Sequence, residues 1–463
     1  MKKMILALMV VCLLGLGGQA FAELCTIDAV PAATLLVPYF QVDVDNPAGV
    51  TTLFSVNNAS AAPALAHVIM WTNWSAPTID FDLFLTGYDV QTVNVRDLFD
   101  GNLPITADEQ TDPTDTISPH ADHPAWDGSF PNCQSILPFT NPAIRSTAFD
   151  RLSNGHTGQP VASLGGRCLG GDVGTAVGYI TIDNVSECSL VLDPNDAGYF
   201  GDGGTGIVNN INQLWGDWFL VDVGNNFAQG DVLVHIEAND DLNATQIPLL
   251  DRDDVTVATI ANATNYTFYG RYTQALGGVD NREPLGTSWG VRYLNGGDVF
   301  SGTDLIAWRD STANDVLPAG ETCGVGPSWF PLNEVEVVAF DEAEDAEELC
   351  FFTGGRISPP DEADPACFPY ETGRYAVGPS PLNPSFDFGW FFLNLGIPVD
   401  NPIGDVDFPA GDGASTIAQS YVVALYNADG LFSVGLPAVQ LTNATQDVEL
   451  SVTAGNNIPF GEP

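Results

Sequence analysis

The sequence predicts an all-β protein, built as two Ig-like or jelly-roll-type antiparallel β-sandwich domains with long loop insertions. Three observations carry that expectation. Many short runs alternate apolar with other residues at period two, as strands with one buried face require. The 47 glycines and 32 prolines among 463 residues supply turns often enough to separate many short strands. Helix signals are poor: the best segment, Asp341–Leu349, crowds six acids into nine residues and reads as a short helix or an acidic loop.

The chain opens with Lys2 and Lys3, an apolar run from Ile5 to Leu16, and then Ala20-Phe21-Ala22. These are the three parts of a secretory signal in their order. Residues 1–22 are therefore expected to be removed and the remainder exported, to a periplasm or outside the cell. The apolar run is too short to span a bilayer, and no later run reaches the ~18 apolar residues that would.

The first domain is expected over 23–245. Its strand runs are Thr34–Val42, Thr51–Val56, Ala64–Trp71, Phe81–Leu85, Val173–Ile182 and Val232–Glu237. An Asp-, Pro-, Thr- and Gly-rich stretch near 100–164 reads as a loop insertion. Polar residues and five Asp at Asn239–Asp254 mark the boundary. The second domain, 246–463, has strand runs at Val255–Ile260, Tyr266–Tyr272, Trp289–Tyr293, Glu334–Val337 and Phe388–Leu395, with a Pro-rich loop near 358–384. Its strongest local signal is a hairpin. Tyr421–Tyr426 and Leu431–Leu436 flank Asn427-Ala428-Asp429-Gly430, which supplies an Asp-Gly turn. Asn-Ala-Ser/Thr triplets at Asn58, Asn243, Asn262 and Asn443 read as Asx turns after strands in preference to glycan acceptors.

Charge narrows the partners. The chain has 59 acids, 13 bases and a net charge of −46, and loss of Lys2 and Lys3 with the signal leaves −48. The mature chain then has no lysine. Nothing in it offsets phosphate repulsion, which excludes nucleic acid and anionic membrane as default partners. Lysine-based catalysis is excluded as well. The acids are 43 Asp to 16 Glu, and Asp favours turns, caps and hard-cation ligation. Seven cysteines remain after cleavage, and in an oxidising compartment they read as disulfides. The close neighbours are the candidates: Cys168 with Cys188, and Cys350 with Cys367. Each would close a loop of about 20 residues, worth about 3 kcal/mol through chain entropy.

The chemical motifs fail in context. Gly286-Thr287-Ser288-Trp289-Gly290 has the nucleophile-elbow spacing, but a strand pattern follows it, and the last histidine, His235, lies before it. The Gly201–Gly206 stretch has dinucleotide-loop spacing but carries Asp202 inside it, where an anion would face a pyrophosphate. The same region reads better as an oxygen-rich loop for Ca²⁺, with Asp193, Asn195, Asp196 and Asp202 as candidate ligands. Asp251, Asp253 and Asp254, and Asp405, Asp407 and Asp412, are weaker clusters. His120 and His123 sit in a Pro/Asp loop without the helix that would aim both at one zinc ion. His67 and His235 read as structural histidines on strands. Arg282, Arg292 and Arg309, with Arg252 and Arg271, are expected to tie sheets together through bidentate pairs with carboxylates such as Asp280.

The sequence therefore favours an exported, non-enzymatic β-sandwich protein acting as a surface, matrix or binding module, with Ca²⁺ as candidate stabilising ion and carbohydrate or a protein surface as candidate partner. The alternative is an exported carbohydrate-active hydrolase using a carboxylate pair. Glu237 and Asp217 are the acids to inspect for it, and Trp71, Trp74, Trp215, Trp218, Trp289 and Trp308 would form a sugar-stacking face.

Overall fold

The computed structural model describes, with short gaps, residues 29–104, 150–238, 247–260, 267–310, 332–350, 366–399 and 416–443. The stretch 1–22 expected as an export signal, most of the 100–164 stretch and both weaker Asp clusters lie outside the described residues. The chain is nearly all β, with antiparallel sheets that include a half-barrel.

In the N-terminal half the strands are β1 (Thr34–Asp43), β2 (Thr51–Asn58), β3 (Ala64–Trp71), β4 (Pro77–Leu85), β5 (Val90–Asn94), β6 (Pro160–Val161), β7 (Gly166–Arg167), β8 (Thr175–Val185), β9 (Leu214–Trp215), β10 (Asp217–Asp222), β11 (Phe227–Val232) and β12 (Val234–Ile236). The C-terminal half carries β13 (Ile247–Leu250), β14 (Thr256–Ile260), β15 (Gly286–Leu294), β16 (Gly302–Arg309), β17 (Glu336–Phe340), β18 (Ala346–Leu349), β19 (Thr372–Ala376), β20 (Phe388–Asn394), β21 (Pro398–Val399), β22 (Thr416–Ile417), β23 (Ser420–Asn427), β24 (Ser433–Pro437) and β25 (Val439–Asn443).

One five-stranded sheet has the order β12-β1-β8-β3-β4, and a second has β11-β10-β2-β5 with β9 beside β2. The large C-terminal sheet runs β18-β17-β20-β15-β23-β16-β19, with β24 on β23 and β25 on β15. Among the described residues no ladder joins a strand of one half to a strand of the other, and a single isolated bridge, Ala238 to Arg282, crosses. One cluster of buried hydrophobic residues nevertheless runs from Ala32 to Tyr426 through both halves.

The first sheet explains how. Successive side chains of a strand point to opposite faces. On one face Leu35, Ile182, Val68 and Phe81 lie side by side across β1, β8, β3 and β4. One residue away, on the other face, Thr34, Asp183, His67 and Asp82 form a polar row across the same four strands. The sequence expectation puts such a polar face in water. Instead all eight residues are buried: Leu192, Ser189 and Tyr199 of the N-terminal half cover His67, Asp82 and Asp183, and Tyr269 and Arg282 of the C-terminal half close over Asp183 and Thr34.

Four further expectations are corrected. The Val232–Glu237 run is not one strand: Leu233 donates its N–H to Gly216 O, and the chain leaves β11 in one sheet to enter β12 in the other. Thr267 to Tyr272 forms turns closed by Gly270 N–H to Thr267 O and Tyr272 N–H to Tyr269 O. A strand would split these aromatics between two faces, whereas the turns bury Phe268, Tyr269 and Tyr272 together. The acidic 341–349 segment is a hairpin end, with Asp341 Oδ1 accepting from the N–H groups of Ala343 and Asp345 before β18 pairs β17. A helix would have set its like charges three and four residues apart on one face. The Pro-rich 358–384 stretch contains β19, which pairs β16.

The 421–436 hairpin forms as expected, though its apolar residues Val434 and Leu436 are exposed, as are Val439 and Leu441 of β25. Their neighbours explain the inversion: Ser433 Oγ bonds the Ala228 backbone of β11, and Gly435 lies against Gln229. Cys350 and Cys367 are joined in a disulfide, with Cα atoms 5.7 Å apart. Cys168 and Cys188 are each disulfide-bonded as well.

Candidate functional site

The polar row of the first sheet and the residues that cover it form the densest cluster of ionisable groups among the described residues. Asp183, near the C-terminal end of β8, accepts from Thr34 Oγ1 on one oxygen. Its other oxygen accepts from Tyr199 and from Tyr269, the latter at 2.8 Å. Arg282 arrives from the C-terminal half. Its Nε donates to Thr34 Oγ1 and lies 3.4 Å from Asp183 Oδ1, while its terminal nitrogens donate to Asp280 Oδ1 (3.2 Å), Asn210 Oδ1 (3.3 Å) and Asn209 O (3.0 Å). Asp280 in turn accepts the Tyr269 N–H at 2.9 Å. Burial opposes the Arg282 charge, but Asp183 and Asp280 overcome it and raise its affinity for the proton. Burial, joined by the Asp183 charge, pushes the Tyr199 and Tyr269 hydroxyls well above the ordinary range, so they stay protonated donors.

His67 continues the row. Its Nδ1 bonds Asp82 Oδ1 at 2.9 Å and its Nε2 bonds Leu192 O at 3.1 Å. Two acceptors facing two ring nitrogens select the imidazolium. Burial lowers its proton affinity, but the bond and charge of Asp82, with Asp80 and Asp183, carry it up to about 9. Neither nitrogen is left to accept a proton, so this His–Asp pair holds structure and is no general base. Asp80, one register step away on the same face, is pushed up to about 7 by burial, with Asp193 and Asp82 adding to the shift and His67 and Arg151 opposing it.

A second knot lies at the other end of the seam. Arg309 donates to Phe368 O (2.9 Å) and Leu395 O (3.0 Å) and sits 3.8 Å from Glu334. Its own N–H bonds Glu371 O, while the Glu371 N–H reaches Asn73 O in the N-terminal half. Trp71 packs on Tyr272, and Tyr179 on Trp308, across the same seam.

Arg282 meets Asp280 as the sequence suggests, but through one nitrogen and one oxygen two residues apart rather than a bidentate fork across sheets, and Arg309 bonds mainly backbone carbonyls. Arg292 is exposed and approaches Glu342 at 3.5 Å. Arg252 and Arg271 lie outside the described residues. The seam itself was missed, along with its buried members Asp183 and Tyr199, and so was the buried His156 of the N-terminal half. His156 bonds Thr78 Oγ1 and Val177 O, and burial holds it down to about 4. A signal was available: polar residues at every second position of strands whose other face is strongly apolar.

The remaining candidates disperse. Asp193 and Asp196 close a turn on themselves, Asp193 N–H to Asp196 Oδ2 at 3.1 Å and Asp196 N–H to Asp193 O at 2.8 Å. Asn195 and Asp202 lie outside the described residues, as do His120, His123 and most of the Gly201–Gly206 stretch. Among the described residues no three His, Cys, Asp or Glu side chains converge as a metal site. Ser288 is mid-strand in β15, its backbone paired with Asn394, so the elbow geometry is absent there. Asn58 is buried and its Oδ1 accepts the Ser60 N–H, an Asx turn closed to glycan attachment. Asp217 opens β10 and Glu237 follows β12, in different sheets. Trp71, Trp218, Trp289 and Trp308 are buried, which removes them from any stacking face, while Trp74 and Trp215 reach the surface.

In comparisons with protein-family models, with curated proteins and with solved structures, nothing matches this chain. No helix among the described residues is long and apolar enough to cross a membrane.

Proposed function

We propose that the protein is an exported, non-enzymatic β-sheet module that serves as a surface, matrix or binding element. One observation carries this reading: four of its scarce arginines, Arg96, Arg282, Arg309 and Arg374, are spent on the fold. Arg96 reaches four backbone carbonyls, those of Asp43, Asn46, Gly49 and Val50. Arg282 and Arg309 are buried in the seam, and Arg374 grips Asp304 across β16 and β19. A scaffold held this way suits a protein whose task is to persist and present a surface. We place its two units at 23–245 and 246–463, each an Ig-like or jelly-roll-type sandwich. The absence of any described ladder between the halves supports that division.

Ca²⁺ enters this reading through Asp193, Asn195, Asp196 and Asp202. Thermal unfolding of the mature chain in EDTA, then in millimolar Ca²⁺ at the same ionic strength, tests it. A site filled to about a hundred times its dissociation constant adds about 2.7 kcal/mol. The expected result is a rise in Tm with Ca²⁺ that Mg²⁺ does not reproduce, and an unchanged Tm removes Ca²⁺ from the reading. Release of reducing sugar from polysaccharides by the same preparation would overturn the non-enzymatic reading in favour of the hydrolase alternative.

A further inference from the structure

A groove of about 720 Å³ opens beside the β3–β4 turn, lined by Trp74, Thr157, Gly158, Gln159, Leu169, Gly170, Gly171 and Val173. Its walls are built rather than incidental. The turn that carries Trp74 is fixed by Thr72, whose Oγ1 accepts the N–H groups of Trp74 and Ala76. One wall, at 157–159, meets the other, at 169–171, backbone against backbone. A Cβ on Gly170 would come within 2.3 Å of Gly158 N, and one on Gly158 within 2.6 Å of Leu169 O. Both glycines have positive φ, +85° and +68°, so each is required twice over. Gly170 N–H is bonded to Asn73 Oδ1 at 2.9 Å and Gly171 N–H to His156 O at 3.0 Å. Cys168, next to this wall, is buried and disulfide-bonded.

The chemistry of the lining is as telling as its rigidity. Among the described residues of the lining, none of the eight carries a charge. What they offer is one indole, one primary amide, one hydroxyl and glycine backbone that a ligand can approach closely. An aromatic face packs against the apolar face of a pyranose ring, while amide and backbone groups bond its hydroxyls. We propose that this groove binds a neutral saccharide, with Trp74 as the stacking platform and Gln159 as the hydroxyl partner. The net charge of the chain disfavours acidic sugars by long-range repulsion. The inference rests on the binding-module reading and gives that module its ligand class.

The test is titration of the full mature chain with cellohexaose, xylohexaose, mannohexaose and maltohexaose, with hexagalacturonate as the acidic counterpart. Intrinsic fluorescence and calorimetry report binding, and chromatography reports cleavage. At least one neutral hexasaccharide is expected to bind and hexagalacturonate is not. Trp74→Ala should weaken binding by about tenfold or more, Gln159→Ala by less, and Trp215→Ala, at a surface tryptophan outside the groove, not at all. Trp74→Phe keeps a ring and should retain part of the affinity, which separates lost stacking from a misfolded turn. Failure of every neutral sugar to bind, or binding indifferent to Trp74→Ala, overturns the saccharide site and leaves the module reading standing. Binding accompanied by cleavage overturns the module reading and leaves the site standing.

Discussion

The two faces of the sheet formed by β12, β1, β8, β3 and β4 are one residue apart in sequence and opposite in chemistry. One carries Leu35, Ile182, Val68 and Phe81; the other carries Thr34, Asp183, His67 and Asp82. Both are buried. The apolar face gains by removal from water and is tolerant of detail, since any well-packed hydrophobic residue of similar size will serve. The polar face gains nothing from burial alone. It is stable because Asp183 and His67 meet partners of fixed geometry, and Arg282 and Tyr269 are the partners that come from the other half. The comparison teaches that the polar face is specified by ions and hydrogen bonds while the apolar face is driven together by hydrophobic burial.

The largest effect should come from breaking the polar face. Arg282→Ala leaves Asp183 and Asp280 buried without their cation, and removal of one partner from a buried pair costs about 3–5 kcal/mol. Denaturant unfolding of the variant is expected to show that loss, and a change below ~1 kcal/mol would mean that the knot is ornamental. Next comes the apolar face. Ile182→Ala removes buried methyl groups and should cost about 2–5 kcal/mol, depending on how far the cavity collapses.

The smallest effect is also the most diagnostic, because it separates the two faces by pH. His67 titrates at about 9 in the fold against 6.5 ordinarily. Its raised value means that its contribution is complete below pH 6.5 and is lost as pH rises through 9. Asp80, at about 7 against 3.8, likewise contributes below 3.8 and loses that contribution as pH rises through 7. His156 has the opposite sign: lowered to about 4, it contributes above 6.5 and loses its contribution as pH falls through 4. Between about pH 7 and 9 only His67 of these three changes charge. Tm is expected to fall across that window, and His67→Gln should flatten the fall. Ile182→Ala should lower Tm throughout without changing the slope. An unaltered slope in His67→Gln would assign the alkaline loss to other groups.

Much of the local structure was legible from residue order. Ala64–Trp71 was read as a strand to the residue, and the Tyr421–Leu436 hairpin was read from its turn. The failures share a cause. The 267–272 aromatics look like a strand because their type favours one, but Phe268 and Tyr269 turn to meet Trp308 and Tyr199. The groove at Trp74 was invisible because its two walls are brought together by glycines whose need is steric, and only the fold shows what a Cβ there would strike.

By itself the sequence determined that this is a β protein, where several of its longer strands lie, that its net charge is −46, and that Cys350 and Cys367 are near enough to pair. These are local or summed properties, and periodicity, turn chemistry and composition report them directly. Only the tertiary structure decided which faces meet water. Thr34 and Arg282 are 248 positions apart and touch, so the polar face of β8 is sealed, while the apolar side chains of β24 stand exposed. A period-two pattern states that two faces differ. What covers each face is set by packing between segments far apart in the chain.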